Sequence, residues 1–295
     1  AHYRALGVAG FLIYDDRSQA PTRDFLAAQP DCLVVTSDHS FGDFFDDGGD
    51  GQFPRRLPQV LKESVPERLC CGRWVLTVDL DEFLVLPEGV ADLPAFTDLL
   101  DQAGQPYATA PLVDFYPRRL AMRNHPTATP PFEANPYFDA GPYYVWREEL
   151  IPRPFAGGVR FKLLRMLHEA YPHEVERIYR GGYPYLAKSW KVPLLKHGAG
   201  VRRIADHEID RTPSTRIAAA LAHFKFYPGL DAKVARALAE GQYHAGSVEY
   251  AFLASVLDRL AERDLVTWET RRFEGPRSLE ASGLLPRLPP AMAQA

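Results

Sequence analysis

The chain has 295 residues, of which 34 Lys+Arg and 38 Asp+Glu leave a formal net charge of −4, with 46% hydrophobic and 24% charged residues. This is an ordinary globular composition, enough for one large or two small cores; with charges interspersed and a pI near 6.2, it offers no electrostatic footing for nucleic acid. Cys32, Cys70 and Cys71 have neither disulfide-framework nor zinc-ligand spacing, and neither an uninterrupted apolar run of about 18 residues nor a leader-like start marks a spanning helix or signal peptide. The expected compartment is the cytoplasm, with peripheral contact at the inner face of a membrane left open.

The opening AHYRALG reads as the last turns of a helix stopped by Gly7. VAGFLIY (8–14) is a short strand, followed by a polar turn, a helix around Thr22–Ala28 and a second strand, CLVVTS (32–37). After an acidic, glycine-rich loop, Leu57–Leu69 is expected to be helical and WVLTVDL (74–80) to be an apolar strand ending in acids. Such strands separated by helices predict an α/β fold with a mostly parallel sheet covered on both faces, and ligands of such sheets sit beyond the carboxyl ends of the strands. YATAPLVDFY (107–116) continues the strand pattern, whereas 117–156 is proline- and aromatic-rich without periodicity and reads as a long functional loop. Further strands are expected at GGVRFKLLRM (157–166), KVPLLKH (191–197) and LAHFKF (221–226). Helices follow near Leu230–Gln242 and Val248–Arg263, and the last residues, 271–295, form a tail.

Two acidic constellations stand at expected strand ends. Asp79, Asp81 and Glu82 crowd like charges that need a cation to neutralise them, and carboxylate oxygens are hard ligands suited to Mg²⁺ or Mn²⁺. Tyr14-Asp15-Asp16-Arg17-Ser18 suits a contact to base or ribose, its bland alternative being a plain Asx turn. Arg160 and Lys162 could add positive charge for a diphosphate, with Gly157 and Gly158 allowing close approach; the alternative is a turn with solvated basic residues. Tyr116, Phe132, Tyr137, Phe138, Tyr143, Tyr144 and Trp146 suit either an acceptor platform for sugar rings or a loop pinned to the core.

HYRALGVAGFLIYDDRS followed by WVLTVDLDEF resembles bacterial family 2-like glycosyltransferases, with the signature H-R-x-L-G-V, Y-D-(N/D)-x-S and W-x-x-x-x-D-x-D-E-F. The resemblance implies a GT-A fold and metal-dependent, hexosyltransferase-like transfer of a sugar from a nucleoside-diphosphate donor, to a glycan or lipid-linked acceptor in surface polysaccharide synthesis. It makes Asp15 a nucleoside contact with Ser18 supporting its turn, Asp79 a ribose and metal contact, and Asp81 a metal ligand. A metal-binding histidine from the C-terminal part, His207 or His223, is also implied, and for inverting transfer Asp206, Glu208 and Asp114 compete as general base. Two departures are Ala20, where the family's turn has an acid, and the missing upstream strand, so the chain is expected to be one catalytic domain (1–270) entered partway along its first helix. The rival readings are an aspartyl-phosphate-type phosphatase using Asp79 and Asp81, although Phe83 stands where that motif has threonine, and a non-catalytic glycan-binding module.

Overall fold

A computed structural model describes residues 1–40, 42–45, 55–140, 158–179, 189–205, 207–241 and 243–288. Helix α1 (His2–Ala5) passes through Gly7, whose φ of 85° suits glycine, into β1 (Phe11–Tyr14). Helix α2 (Ala20–Ala27) leads to β2 (Cys32–Val35), which pairs with β1 in parallel, Phe11 opposite Cys32 and Tyr14 opposite Val35. The expected strand–helix–strand unit is present, but its two strands form a sheet of their own, with Leu12 and Leu33 exposed.

A short ladder of β3 (Phe44–Phe45) with β4 (Arg55–Arg56) opens into α3 (Leu57–Leu69). Next come β5 (Trp74–Leu76), β6 (Glu82–Val85), α4 (Leu93–Gln102) and the fully buried β7 (Tyr107–Asp114). The segment read as a loop from 117 contains a 3₁₀ turn at Leu120–Arg123, α5 (Pro131–Ala134) and β8 (Tyr137–Asp139). Helices α6 (Gly158–Ala170) and α7 (Pro172–Tyr179) follow, then β9 (Trp190–Lys196), β10 (Arg203–Ala205), β11 (Glu208–Ile209) and β12 (Ala220–His223). The chain ends on α8 (Leu230–Glu240), α9 (His244–Arg259), β13 (Thr270–Arg272) and α10 (Pro276–Ala281).

The central sheet has the order β5-β9-β7-β12-β6. Within it only β7 and β12 run parallel; β5 with β9, β9 with β7, and β12 with β6 are antiparallel. The expectation of a mostly parallel sheet is therefore corrected to a mixed α/β architecture. The apolar continuity that suggested it reports burial of both faces. One face packs Leu84, Leu112 and Leu221 on Leu93, Phe96 and Leu100 of α4, and the other packs Val85, Val113 and Ala222 with Phe138, Leu279, Leu284 and Leu285. The residues expected to form a tail from 271 are thus built into the core as far as Leu285, and β13 pairs with β8.

Residues 157–166, read as a strand, are a second correction. Val159, Leu163 and Leu167 recur at helical spacing and all are fully buried, packing with Val234 of α8 and Phe252 and Val256 of α9 in a separate helical core. In the aromatic segment Phe132 lies with Phe115, Phe224 and Phe273 in edge and stacked contacts. Phe132, Phe138 and Tyr116 therefore pin the segment to the core; Tyr143, Tyr144 and Trp146 lie outside the described residues.

The outer edge of β6 is met by α1. The Tyr3 hydroxyl donates to the Glu82 carbonyl at 2.6 Å and accepts from the Leu84 amide at 3.1 Å, and His2 Nε2 donates to the Leu84 carbonyl at 2.9 Å. Among the described residues no helix is long and apolar enough to cross a membrane.

Candidate functional site

The carboxyl end of β5 runs through Thr77-Val78-Asp79-Leu80-Asp81 and turns at once into β6. The turn is closed twice, by the Glu82 amide donating to the Asp79 carbonyl and by the Asp79 amide donating to Glu82 Oε2, each at 3.1 Å. Leu80 stands almost wholly exposed at its apex. His223, the last residue of β12, is registered opposite Glu82 on one side and opposite Asp114 of β7 on the other. The sheet thereby gathers Asp79, Asp81, Glu82, Asp114 and His223 at one place from three segments distant in sequence.

Asp79 accepts from Lys62 Nζ of α3 and Lys191 Nζ of β9, both at 2.8 Å, and Lys191 also reaches Glu82 Oε1 at 2.6 Å. The cation needed to relieve the crowded carboxylates is thus supplied for Asp79 and Glu82 by two lysines. Burial opposes the charge of Asp79, but Lys62 and Lys191 outweigh it and hold its carboxyl well below the ordinary range. Burial also works against the Lys191 ammonium, and Glu82 and Asp79 outweigh it, so that its pKa is raised. Sequence reasoning did not find these lysines. Lys191, a charge within the apolar run KVPLLK, was the available signal, because an ammonium buried on such a strand needs carboxylate partners.

Asp81 is different: its Oδ2 faces His223 Nε2 at 3.7 Å. His223 Nδ1 donates to Asp114 Oδ1 at 2.6 Å, and Arg160 Nε of α6 donates to Asp114 Oδ2 at 2.8 Å. Asp114 is buried with both oxygens engaged, which suits it to orient His223 and removes it from the candidates for general base. The pattern is that of an imidazole whose far nitrogen is fixed by a carboxylate while the near one faces Asp81. Arg160 Nη1 continues the network to Glu249 of α9 at 3.6 Å, where Lys225 also binds. Among the described residues, no group of three or more His, Cys, Asp or Glu could by itself hold a metal.

The remaining sequence candidates lie as follows. Asp15 is buried at the end of β1 and accepts from the Ser18 amide at 3.0 Å, the geometry of an Asx turn. Lys162, expected to face a diphosphate, is instead buried in α6 with Nζ 2.5 Å from Asp139 and bonded to Tyr116, Thr270 and the Leu265 carbonyl. His207 Nδ1 donates to the Trp190 carbonyl at 2.6 Å, so it stands beside the residue preceding Lys191. Glu208 is half-buried on the short ladder of β10 with β11, and Asp206 and Gly157 lie outside the described residues.

These charges predict acid sensitivity. Burial opposes ionisation of Asp114, but Arg160 and the His223 hydrogen bond outweigh it and lower its pKa; Lys225, with Arg160, holds Glu249 down to about 2 against its burial. Folded values below unfolded ones mean that the stability they contribute is complete above about pH 4.5 and is lost as pH falls toward 2. Denaturant melts taken from pH 6 to 2.5 are expected to show midpoints falling below pH 4.5, with a shallower fall for Glu249→Gln; an unchanged slope in that variant contradicts the assignment.

Comparison with protein-family models, with curated proteins and with solved structures finds no match.

Proposed function

We propose that the chain is a divalent-metal-dependent glycosyltransferase that moves a sugar from a nucleoside-diphosphate donor to a glycan or lipid-linked acceptor, as the sequence resemblance implies. The observation that carries this reading is the Asp81–His223 pair, an oxygen and an imidazole nitrogen 3.7 Å apart, with His223 fixed from behind by Asp114. Both ligand types accept Mn²⁺, and a site with only two protein ligands leaves positions for phosphate oxygens. Asp81 and His223 would hold such a cation, which would supply positive charge for the departing nucleoside diphosphate.

The protein's own groups divide the remaining work. Lys62 and Lys191 keep Asp79 ionised and fix the turn that presents Asp81. Asp79 fits a ribose contact better than a metal ligand, because both its oxygens already accept from ammonium groups. Arg160 and Asp114 hold His223. Asp15, beyond β1, is the candidate contact to the nucleoside, with Ser18 closing its turn.

Titration calorimetry tests the reading. Mn²⁺ is expected to bind and to promote binding of at least one UDP- or GDP-sugar, and Asp81→Ala to weaken Mn²⁺ at least tenfold. Absence of any nucleotide-sugar binding in Mn²⁺ rejects the transferase reading. Binding without donor hydrolysis or transfer over long incubation points to the glycan-binding alternative, and hydrolysis of a generic phosphate ester that is lost in Asp79→Asn points to the phosphatase.

A further inference from the structure

Trp268 is the largest apolar side chain left in water among the described residues, 82% exposed, although tryptophan is ordinarily well buried in a folded chain. Its exposure is not that of a loose loop. The Thr270 amide donates to the Thr267 carbonyl at 3.1 Å, the Thr267 amide to Thr270 Oγ1 at 2.9 Å, and Arg271 Nη1 to the Trp268 carbonyl at 2.9 Å. Thr270 Oγ1 in turn accepts from the buried Lys162 at 3.1 Å. The turn at 267–270 is thus fixed from within and carries the indole on its outside.

A second segment lies alongside. The Leu265 amide donates to the Arg118 carbonyl and the Ala121 amide to the Ala261 carbonyl, each at 2.9 Å, so 117–123 runs antiparallel to 261–265. Met122 and Val266, on these two segments, are also exposed. In a chain of net charge −4, residues 117–123 and 260–272 hold six arginines against Glu262, Asp264 and Glu269. Arg118 pairs with Asp264 and Arg123 with Asp231. Arg119, Arg263, Arg271 and Arg272 are exposed, and among the described residues no carboxylate comes within ion-pair distance of them.

We infer that the surface formed by 117–123 and 260–272, with Trp268 and its exposed arginines, docks the protein on an anionic phospholipid bilayer. Indole suits the headgroup level, where its ring meets acyl chains and its N–H stays wet. Met122 and Val266 add apolar area to the same surface, and guanidinium groups bind phosphate oxygens two at a time. The negative potential of such a membrane attracts arginines close to it and repels the acidic remainder of the chain, which sets the orientation. A polyanion with no apolar layer, such as RNA, would satisfy the arginines and leave Trp268, Met122 and Val266 in water. The inference goes beyond the transferase reading and does not depend on it.

Vesicle sedimentation of the full chain tests it. The protein is expected to bind phosphatidylcholine vesicles containing about one-third phosphatidylglycerol at least tenfold more tightly than pure phosphatidylcholine vesicles, and to be released by salt. Trp268→Ala, and separately Arg119→Gln with Arg272→Gln, are each expected to weaken that binding at least tenfold, with thermal melts close to the wild type because all three side chains are exposed. In the wild-type chain, hydroxyl-radical footprinting read by mass spectrometry is expected to show the anionic vesicles shielding Met122 and Trp268 from oxidation while the exposed Phe25 is oxidised as before, a measurement that requires no variant to fold. No binding to the anionic vesicles, wild-type binding in both variants, or undiminished oxidation of Met122 and Trp268 overturns the inference. Arginine-dependent binding to RNA without vesicle binding overturns it too, in favour of a polyanionic partner.

Discussion

Lys162→Met is expected to destabilise the protein by about 3–5 kcal/mol, the usual cost of removing one partner from a buried ion pair, and to lower Tm by on the order of 10 °C. Lys162 is buried, and its Nζ joins Asp139, Tyr116, Thr270 and the Leu265 carbonyl, so one ammonium ties α6 to the segment just beyond β7, to β8, and to β13 with the loop before it. Removing it strands the Asp139 carboxylate, which among the described residues keeps only the Tyr116 and Thr270 hydroxyls as donors. The double variant Lys162→Met with Asp139→Leu removes both charges and is expected to recover much of the loss, since apolar replacement of a whole buried pair is often neutral or better. Thermal and denaturant melts of the two single variants and the double variant decide it. A single variant within about 1 kcal/mol of the wild type contradicts the structural role given to Lys162.

The second large effect is on the Asp81–His223 pair proposed above to hold the metal. Asp114→Asn is nearly isosteric, yet its two faces are asked for opposite things: Arg160 Nε must meet an acceptor, and so must His223 Nδ1–H. With the amide oxygen turned to Arg160, the amide nitrogen faces Nδ1 and favours the tautomer that places the proton on Nε2, the atom directed at Asp81. A protonated Nε2 cannot ligate. The expected result is a 10–100-fold loss of Mn²⁺ affinity, the range typical of outer carboxylates behind metal-binding histidines. In the metal-free protein, nitrogen NMR is expected to show the proton of His223 moving from Nδ1 to Nε2. Unchanged Mn²⁺ affinity with an unchanged tautomer removes Asp114 from this role.

Much of the fold was readable because its signals are local. Gly7, the apolar runs FLIY, CLVV and ALAH, and the helix Leu57–Leu69 each announce themselves within a few residues. Strand direction is not local. β9 is as apolar as a parallel strand would be, because helix and sheet cover it, yet it runs antiparallel to both neighbours. Helix α6 was misread because Gly157–Gly158 and two basic residues obscured the spacing of Val159, Leu163 and Leu167.

At the site, Asp79, Asp81 and His223 stood out by residue type, but their division of labour did not. Two lysines, Lys62 and Lys191, more than a hundred positions apart, take Asp79 and leave Asp81 to face His223. Pairings of that kind depend on the folded sheet. Arg160 and Lys162 also illustrate it, since neighbours on one helix turn end on different carboxylates, Asp114 and Asp139.

The contacts of His2 and Tyr3 with β6 bear on self-association. A terminal strand ordinarily offers a row of open amides and carbonyls on which another chain can build. Here the Glu82 carbonyl and both backbone groups of Leu84 are already occupied by a phenol and an imidazole. These side chains do what a further strand would do, without presenting a new edge themselves. The sheet is thereby stopped beside its acidic turn, and that flank is protected from intermolecular strand addition and the aggregation that follows from it.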